Sequence, residues 1–339
     1  MGLTTGLTME TALPLIFVFV MGLSLLLYVI LDGYDLGVGL LLPFAEDAEK
    51  DVMIASIGPF WDANETWIVM GIGVLLIAFP SAHGIILTKL YLPVTIMLLG
   101  LILRGVAFDF RVKAGDHKKA MWNRFFFIGS LLASMSQGWM LGSYITGLSG
   151  SLTNTIFSIL IAICLPALYI VLGATWLLIK TDGALFEKAV GWARKSVLPM
   201  ALGLFLVSIA TPLVSDVIAA RWFQLPNFIG LMPIPIASAI ALILLVVLLK
   251  RDVEQLRELN PWFLFICPVI VCLMAALGLA YSIFPDIIIG QMSIWEAAAH
   301  TSSLQFTFYG VAVALPCIIF YTVFIYRVFS GKATELRYD

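Results

Sequence analysis

Three apolar stretches of this sequence carry ionisable side chains at spacings that could support chemistry. Asp32 and Asp35 are three residues apart, and Asp62 and Glu65 repeat that spacing. Residues three apart share one face of a helix, so each pair would present two carboxyl groups to the same neighbour. Arg104 lies within the third stretch. Carboxyl groups beside a guanidinium could take up protons, bind an ion or form a polar contact with another subunit.

The elements that must position these groups are predicted to be membrane-spanning helices. The chain has 339 residues, of which 61% are hydrophobic and 12% are charged, whereas soluble domains are about 25% charged. Its mean hydropathy is +1.04 and its net charge is −2. This composition excludes a soluble enzyme, a nucleic-acid-binding protein and a disordered regulator. An ionisable group at the centre of such a helix costs about 2.5–3.5 kcal/mol, so each needs a reason.

The hydropathy pattern predicts an all-α polytopic membrane protein with one transmembrane domain over residues 1–339. A bilayer core about 30 Å thick needs about 20 apolar residues of helix. The first span is longer than this, so its last turns, from about Asp32, are expected to kink or to emerge at the membrane surface. The nine predicted spans are 12–42, 57–79, 84–108, 122–146, 154–179, 198–218, 228–249, 262–284 and 301–328.

The distribution of basic residues predicts the orientation of these spans. All Lys and Arg residues except Lys89, Arg104 and Arg221 fall in alternate loops or in the C-terminal segment, which includes Arg337. Loops rich in Lys and Arg stay in the cytoplasm. The N-terminus is therefore predicted outside and the C-terminus inside. The acids and the arginine described above then all lie near the cytoplasmic ends of their helices.

Simpler structural roles for these residues stay open. Gly33 and Gly37 form a G-x-x-x-G step that would let a neighbouring helix approach closely. Asp62 falls in the first turn of its helix, just after Pro59, and could be stabilised there by the helix dipole alone. Neighbouring acids that interact would titrate collectively, so single ionisation constants cannot be assigned from the sequence.

The sequence predicts no metal site and no cofactor held by this chain alone. Haem needs axial ligands placed where the ring can sit, and the only histidines, His83, His117 and His300, all fall outside the middle of the spans. The four cysteines lie in apolar runs without metal-binding spacing. The polar residues of the fourth span are expected to be interhelical hydrogen-bond partners; they are Ser134, Ser136 and Gln137.

Three segments of the chain resemble subunit II of the cytochrome bd-type quinol oxidases, a family that includes the cyanide-insensitive oxidases. They are DGYDLGVG at 32–39, GPFWDANETW at 58–67 and RGVAFDFR at 104–111. Their order, spacing and placement all fit the family. Two further stretches also fit, GATWLLIKTDG at 173–183 and WEAAAHTSSLQ at 295–305. The resemblance therefore covers essentially the whole chain.

The resemblance implies a subunit of a complex that oxidises quinol, reduces O₂ to water and contributes to the proton-motive force. Haem b and haem d would be held by the partner, subunit I, in a bacterial cytoplasmic membrane. The implied fold has two four-helix bundles plus one peripheral helix. A small single-helix accessory subunit, membrane lipids and a structural quinone are carried over as further candidate partners or ligands.

The resemblance also implies roles for individual residues. In the family, the acids that match Asp32 and Asp62 lie on a proton route from the cytoplasm to the oxygen-reducing haem. The residues that match Trp61 and Arg104 are linked to assembly of the complex and haem retention. This similarity predicts that Asp32 and Asp62 relay protons toward subunit I.

Three neighbouring groups are predicted to support that relay, and two alternatives remain. Asp35 and Glu65 would shape the local field, and Arg104 would act as counter-ion that keeps some acids charged while a neighbour exchanges its proton. The chain could instead be a purely structural partner subunit with no proton role. It could also be a secondary transporter, although a transporter site should lie nearer the middle of the membrane.

Overall fold

The computed structural model describes residues 8–113 and 115–333, so Arg337 lies outside the described residues. A short antiparallel hairpin interrupts the series of helices late in the chain and consists of β1 (Asp286–Ile288) and β2 (Met292–Ser293). The helices are α1 (Met9–Leu41), α2 (Asp47–Ile57), α3 (Trp61–Ala78), α4 (Pro80–Lys113), α5 (Asp116–Ile145), α6 (Leu152–Lys180), α7 (Gly183–Val214), α8 (Asp216–Phe223), α9 (Asn227–Leu231), α10 (Pro233–Leu249), α11 (Val253–Glu258), α12 (Trp262–Ile283), α13 (Ile294–Ala297) and α14 (Thr301–Val328).

Each of the nine predicted spans corresponds to a helix in the described part of the chain. Eight of these helices are long and apolar enough to cross a membrane on their own: α1, α4, α5, α6, α7, α10, α12 and α14. The ninth, α3, qualifies together with α2, from which it is bent by 50°. The prediction of an all-α polytopic membrane protein is confirmed. The division into two four-helix bundles and a peripheral helix stays a prediction.

Several helices extend beyond the apolar segments that revealed them. Helix α7 begins at Gly183 rather than near residue 198, and α4 continues to Lys113. Their added turns carry charged residues such as Lys188 and Arg111. A hydropathy pattern ends where charges begin, but backbone hydrogen bonding does not. Membrane helices therefore continue past the apolar segment.

The last turns of helix α1, for which the sequence predicts a kink or emergence at the membrane surface, are packed inside the protein. It is continuous to Leu41, and every residue from Asp32 to Leu41 is buried. Helices α3, α5 and α6 pack against it, and α12 and α14 also contact it. The polar end of α1 is buried because it lies among other helices, which supply partners for its carboxyl groups.

Glycine permits the close contact between α1 and α6. A Cβ atom on Gly37 would lie 1.7 Å from the Tyr169 carbonyl oxygen, and one on Gly173 would lie 2.5 Å from the Gly37 carbonyl carbon. A Cβ on Gly33 would lie 2.9 Å from the Tyr169 ring. The G-x-x-x-G prediction is therefore confirmed, and α6 is the helix that approaches.

A second glycine contact joins α4 to α5 just before the arginine. Cβ atoms on Gly100 and Gly129 would lie 2.8 and 2.6 Å from each other's carbonyl oxygens. The Gly129 position also lies against the backbone of Arg104, 2.8 Å from its nitrogen. This contact fixes the position of the Arg104 backbone relative to α5.

Candidate functional site

Arg104 of α4 links carboxyl groups from two other helices. Its Nη2 atom donates a hydrogen bond to Asp32 Oδ1 of α1 at 2.6 Å and another to the Glu65 carboxylate of α3. Asp32 and Arg104 are buried, whereas the Glu65 side chain keeps 28% of its surface exposed. The three helices therefore do bring acids and a base together, as the sequence predicts.

Asn64 organises a second hydrogen-bond network around Asp35. Its Nδ2 atom donates to Asp35 Oδ2 at 2.8 Å and to Tyr34 Oη at 2.9 Å. The Tyr326 hydroxyl of α14 donates to Asn64 Oδ1 at 3.0 Å, and the two tyrosine hydroxyls are 2.5 Å apart. This network joins α1, α3 and α14.

A third polar chain approaches Asp32 from the opposite direction along α1. Tyr169 donates to Gln137 Oε1 at 2.5 Å, and Gln137 Nε2 donates to Tyr28 Oη at 2.8 Å. Tyr28 precedes Asp32 by one helical turn and interacts with it electrostatically. The interhelical role predicted for Gln137 is confirmed. Ser134 instead donates to Leu131 in its own helix, so the prediction is wrong for that residue.

Asp62 and Trp61 stand at the edge of this cluster. Asp62 is exposed in the first turn of α3 and is close enough to Glu65 for their charges to interact. It is therefore not part of the buried ion pairs, although it shares the face of α3 that the spacing predicts. Trp61 is half-buried, and its ring lies 5.3 Å from that of Phe108.

Sequence reasoning identified the charged residues but missed four polar residues of the hydrogen-bond networks around them. Asn64 lies inside one of the motifs, and its position between two acids in an apolar helix was a usable signal. Tyr28, Tyr34 and Tyr326 carried no such signal, because tyrosine is common near the ends of membrane helices. Only the packing of α14 on α3 brings Tyr326 to the site.

The composition of the cluster determines what it can do chemically. The carboxyl groups of Asp32 and Glu65 pair with the Arg104 guanidinium, and Asp35 lines the same small cavity as Arg104. Removing charged groups from water is costly, so these carboxyl groups depend on the guanidinium and on the hydrogen-bond donors around them. Paired ionisable groups inside a membrane protein are the kind of groups that a proton relay or a polar contact between helices requires.

One of the three histidines has a structural role in the described residues. His300 uses Nδ1 as the N-cap of α14, where Ser302 N donates to it at 3.4 Å. The side chain of His117 lies outside the described residues. Within the ranges described, no three His, Cys, Asp or Glu side chains are grouped so that they could hold a metal ion.

Comparison with known proteins identifies a consistent set of relatives. Residues 13–329 match the family described as cytochrome bd terminal oxidase subunit II. The chain is 26% identical to cytochrome bd-I ubiquinol oxidase subunit 2 of Escherichia coli K12 over 359 aligned positions, covering 93% of each protein. It is 45% identical to cytochrome bd ubiquinol oxidase subunit 2 of Bacillus subtilis 168 over 106 positions, covering 30% of this chain and 31% of that protein.

A solved structure shares the fold. The chain aligns with the bd oxidase from Geobacillus thermodenitrificans at a TM-score of 0.73 and 17% identity, over 94% of this chain and 98% of that one. The likeness shows that the fold is shared over almost the whole chain.

Proposed function

Because this chain belongs to the cytochrome bd terminal oxidase subunit II family, we propose that its acid cluster supports proton uptake by the quinol oxidase complex. The acid cluster is the group formed by Asp32, Asp35, Glu65 and Arg104. The chain is a multi-pass membrane subunit of that oxidoreductase. Haem b and haem d, which would carry electrons from quinol to O₂, are assigned to subunit I in this proposal. The scarcity of histidine in this chain and the use of His300 as a helix cap support that assignment.

A gradient of burial carries the proposal. Asp62 is exposed, Glu65 is partly exposed and Asp32 is fully buried, and Arg104 contacts both of the last two. A proton that reaches Asp62 has Glu65 as an acceptor further inside on α3. Glu65 and the buried Asp32 both contact the Arg104 guanidinium. Ionisable groups inside a membrane protein, paired in this way, are typical of proton relays.

The predicted orientation supplies the direction of uptake. The concentration of Lys and Arg in alternate loops supports a cytoplasmic location for the ends of α1, α3 and α4 that carry the cluster. Protons would then enter from the cytoplasm. The exposed Asp62 would face subunit I, the accessory subunit or lipid, and Trp61 would support assembly by packing on α4 through Phe108.

Conservative replacement of the two relay acids tests this proposal in the intact complex. Asp32→Asn and Asp62→Asn should each lower quinol oxidase turnover at least tenfold while haem content stays normal. Asp109→Asn is the matched control, because Asp109 is an exposed acid on α4. Normal turnover in Asp62→Asn would remove that residue from the relay. Combined loss of haem and turnover would indicate an assembly role.

The purely structural role is the second candidate, because the Asp32–Arg104 pair also ties α1 to α4. A scaffold without a proton role would keep full turnover in Asp32→Asn whenever the haems are retained. Membership in an oxidase-subunit family disfavours the secondary transporter.

A further inference from the structure

A small internal cavity lies next to the acid cluster. Its volume is about 10 Å³, which is roughly the space that one water molecule requires. Four of the side chains around it are apolar or aromatic, and two are charged. Its lining consists of Asp35, Ile57, Trp61, Arg104, Phe108 and Phe126.

The two charged residues that line the cavity have buried polar atoms without a hydrogen-bond partner among the described residues. Asp35 Oδ1 and Arg104 Nε and Nη1 are buried and make no hydrogen bond to any other described part of the chain. Asp35 is 0% exposed and Arg104 is 1% exposed, so bulk water does not reach them. Buried polar atoms of proteins almost always have a partner, which is either another protein group or an ordered water molecule.

The cavity also lies between two networks that are otherwise separate. Arg104 belongs to the group with Asp32 and Glu65, and Asp35 belongs to the group with Asn64. No direct ion pair between Arg104 and Asp35 occurs in the described structure. A bridging molecule in the cavity would join the two groups.

We propose that one water molecule binds in this cavity and bridges Arg104 to Asp35. Its oxygen accepts a hydrogen bond from the guanidinium, and one of its hydrogens is donated to Asp35 Oδ1. The aromatic walls hold it there and separate it from solvent.

Other occupants fit the cavity less well. A metal cation would be repelled by the guanidinium and would find one lining carboxylate, which is too few oxygen ligands for a hard cation. An anion would be repelled by Asp35. An apolar molecule would leave the unpaired atoms unsatisfied, and it would also exceed the volume.

The bridge gives the proposed proton relay a means of control. Arg104 would divide its charge among Asp32, Glu65 and, through water, Asp35. Removing the bridge would withdraw that share from Asp35 and change the pH at which the cluster gains its proton. This consequence depends on the proposed function, whereas the water site itself does not.

A structure of the intact oxidase complex at a resolution that shows ordered water tests the site directly. Density at about 2.6–3.2 Å from both Asp35 Oδ1 and an Arg104 nitrogen is expected. A dry cavity, or a direct Arg104–Asp35 ion pair that closes it, would overturn the proposal.

Infrared difference spectroscopy in H₂¹⁸O supplies an independent test in the same complex. Ile57→Phe fills the cavity and should abolish an isotope-sensitive O–H band of a buried water. Ile54→Phe is the matched control, because Ile54 is on the same helix, is equally buried and does not line the cavity. Retention of the band in Ile57→Phe, or its absence from the unmodified complex, contradicts the proposal.

A second pair of smaller substitutions tests the site if the phenylalanine variants do not assemble. Ile57→Val enlarges the cavity and should shift the band, whereas Ile54→Val should leave it unchanged; identical bands in both would refute the site. These outcomes do not depend on turnover in Asp32→Asn or Asp62→Asn. Failure of the water bridge and failure of the proton relay are therefore distinguishable.

Discussion

The first and last membrane helices are both strongly apolar, yet their surroundings are opposite. The segment Asp32–Leu41 of α1 is buried and carries two acids, each with partners. Helix α14 has one fully buried residue, Leu304, and exposes large side chains such as Phe306 and Phe320. Apolar composition therefore identifies a membrane helix but does not say whether protein or lipid surrounds it.

The C-terminal end of α14 is the exception to this exposure. Near its C-terminal end, Tyr326 reaches the network of Asn64, and the buried Lys180 of α6 donates hydrogen bonds to the carbonyl oxygens of Phe329 and Gly331. The helix is attached to the protein where polar groups meet. Elsewhere its exposed side chains suit lipid or a partner subunit.

Removal of the Arg104 guanidinium should have the largest effect on the buried half of α1. Arg104→Met leaves Asp32 buried without its counter-ion, and breaking such a pair costs about 3–5 kcal/mol. The expected result is loss of assembled complex, measured as haem content of the purified enzyme and its thermal stability. Arg257→Met is the control, because that side chain is 36% exposed and forms surface pairs. Equal effects of the two variants would contradict the assigned role of the buried pair.

The α1–α6 contact should be the next most sensitive. Gly37→Ala places a methyl group 1.7 Å from the Tyr169 carbonyl oxygen, so the helices must separate at a cost of about 1–3 kcal/mol or more. Gly22→Ala on the same helix has nothing within 4 Å of the added atom and should be neutral or slightly stabilising. Thermal unfolding of the two variants measures the contrast, and a Gly37→Ala protein as stable as Gly22→Ala would show that the contact is looser.

One hydroxyl group should contribute measurably to the attachment of α14. Tyr326→Phe removes the donor to Asn64 Oδ1 and should cost roughly 1 kcal/mol. Amide hydrogen exchange should rise in the last turns of α14. Tyr321→Phe, on the same helix and 46% exposed, should not change exchange there. Unchanged protection in Tyr326→Phe would mean that other contacts hold this end.

The smallest expected effect concerns an exposed carboxylate outside the spans. The Ser293 backbone N–H donates to Glu296 at 2.8 Å and holds the pKa of Glu296 below its usual range. Because the folded pKa is the lower one, this stabilisation of α13 is present above the unfolded pKa and is lost as pH falls through the folded pKa. Exchange protection of residues 293–297 should therefore fall on acidification, and Glu296→Gln should remove that dependence. A similar pH dependence in the variant would assign it to another group.

The charged part of the site was predictable because charge in an apolar helix stands out. Asp32, Glu65 and Arg104 were identified from their cost in a membrane, and the structure pairs all three. The exposure of Asp62 was not predictable from the sequence. Spacing shows which face of a helix a residue occupies, but not whether another helix covers that face. Asp62 is exposed although it shares its face with Glu65.

The sequence by itself determined the class of protein, the number of spans and the glycine step at Gly33 and Gly37. These features follow from local composition and spacing, because every membrane helix must satisfy its own backbone and exclude charge. Tertiary structure alone decided that Tyr326 and Asn64 complete the Asp35 network and that Tyr169 closes over Gly33. Hydrogen bonds between distant helices depend on how the helices are packed, and that packing joins residues with no local signal in common.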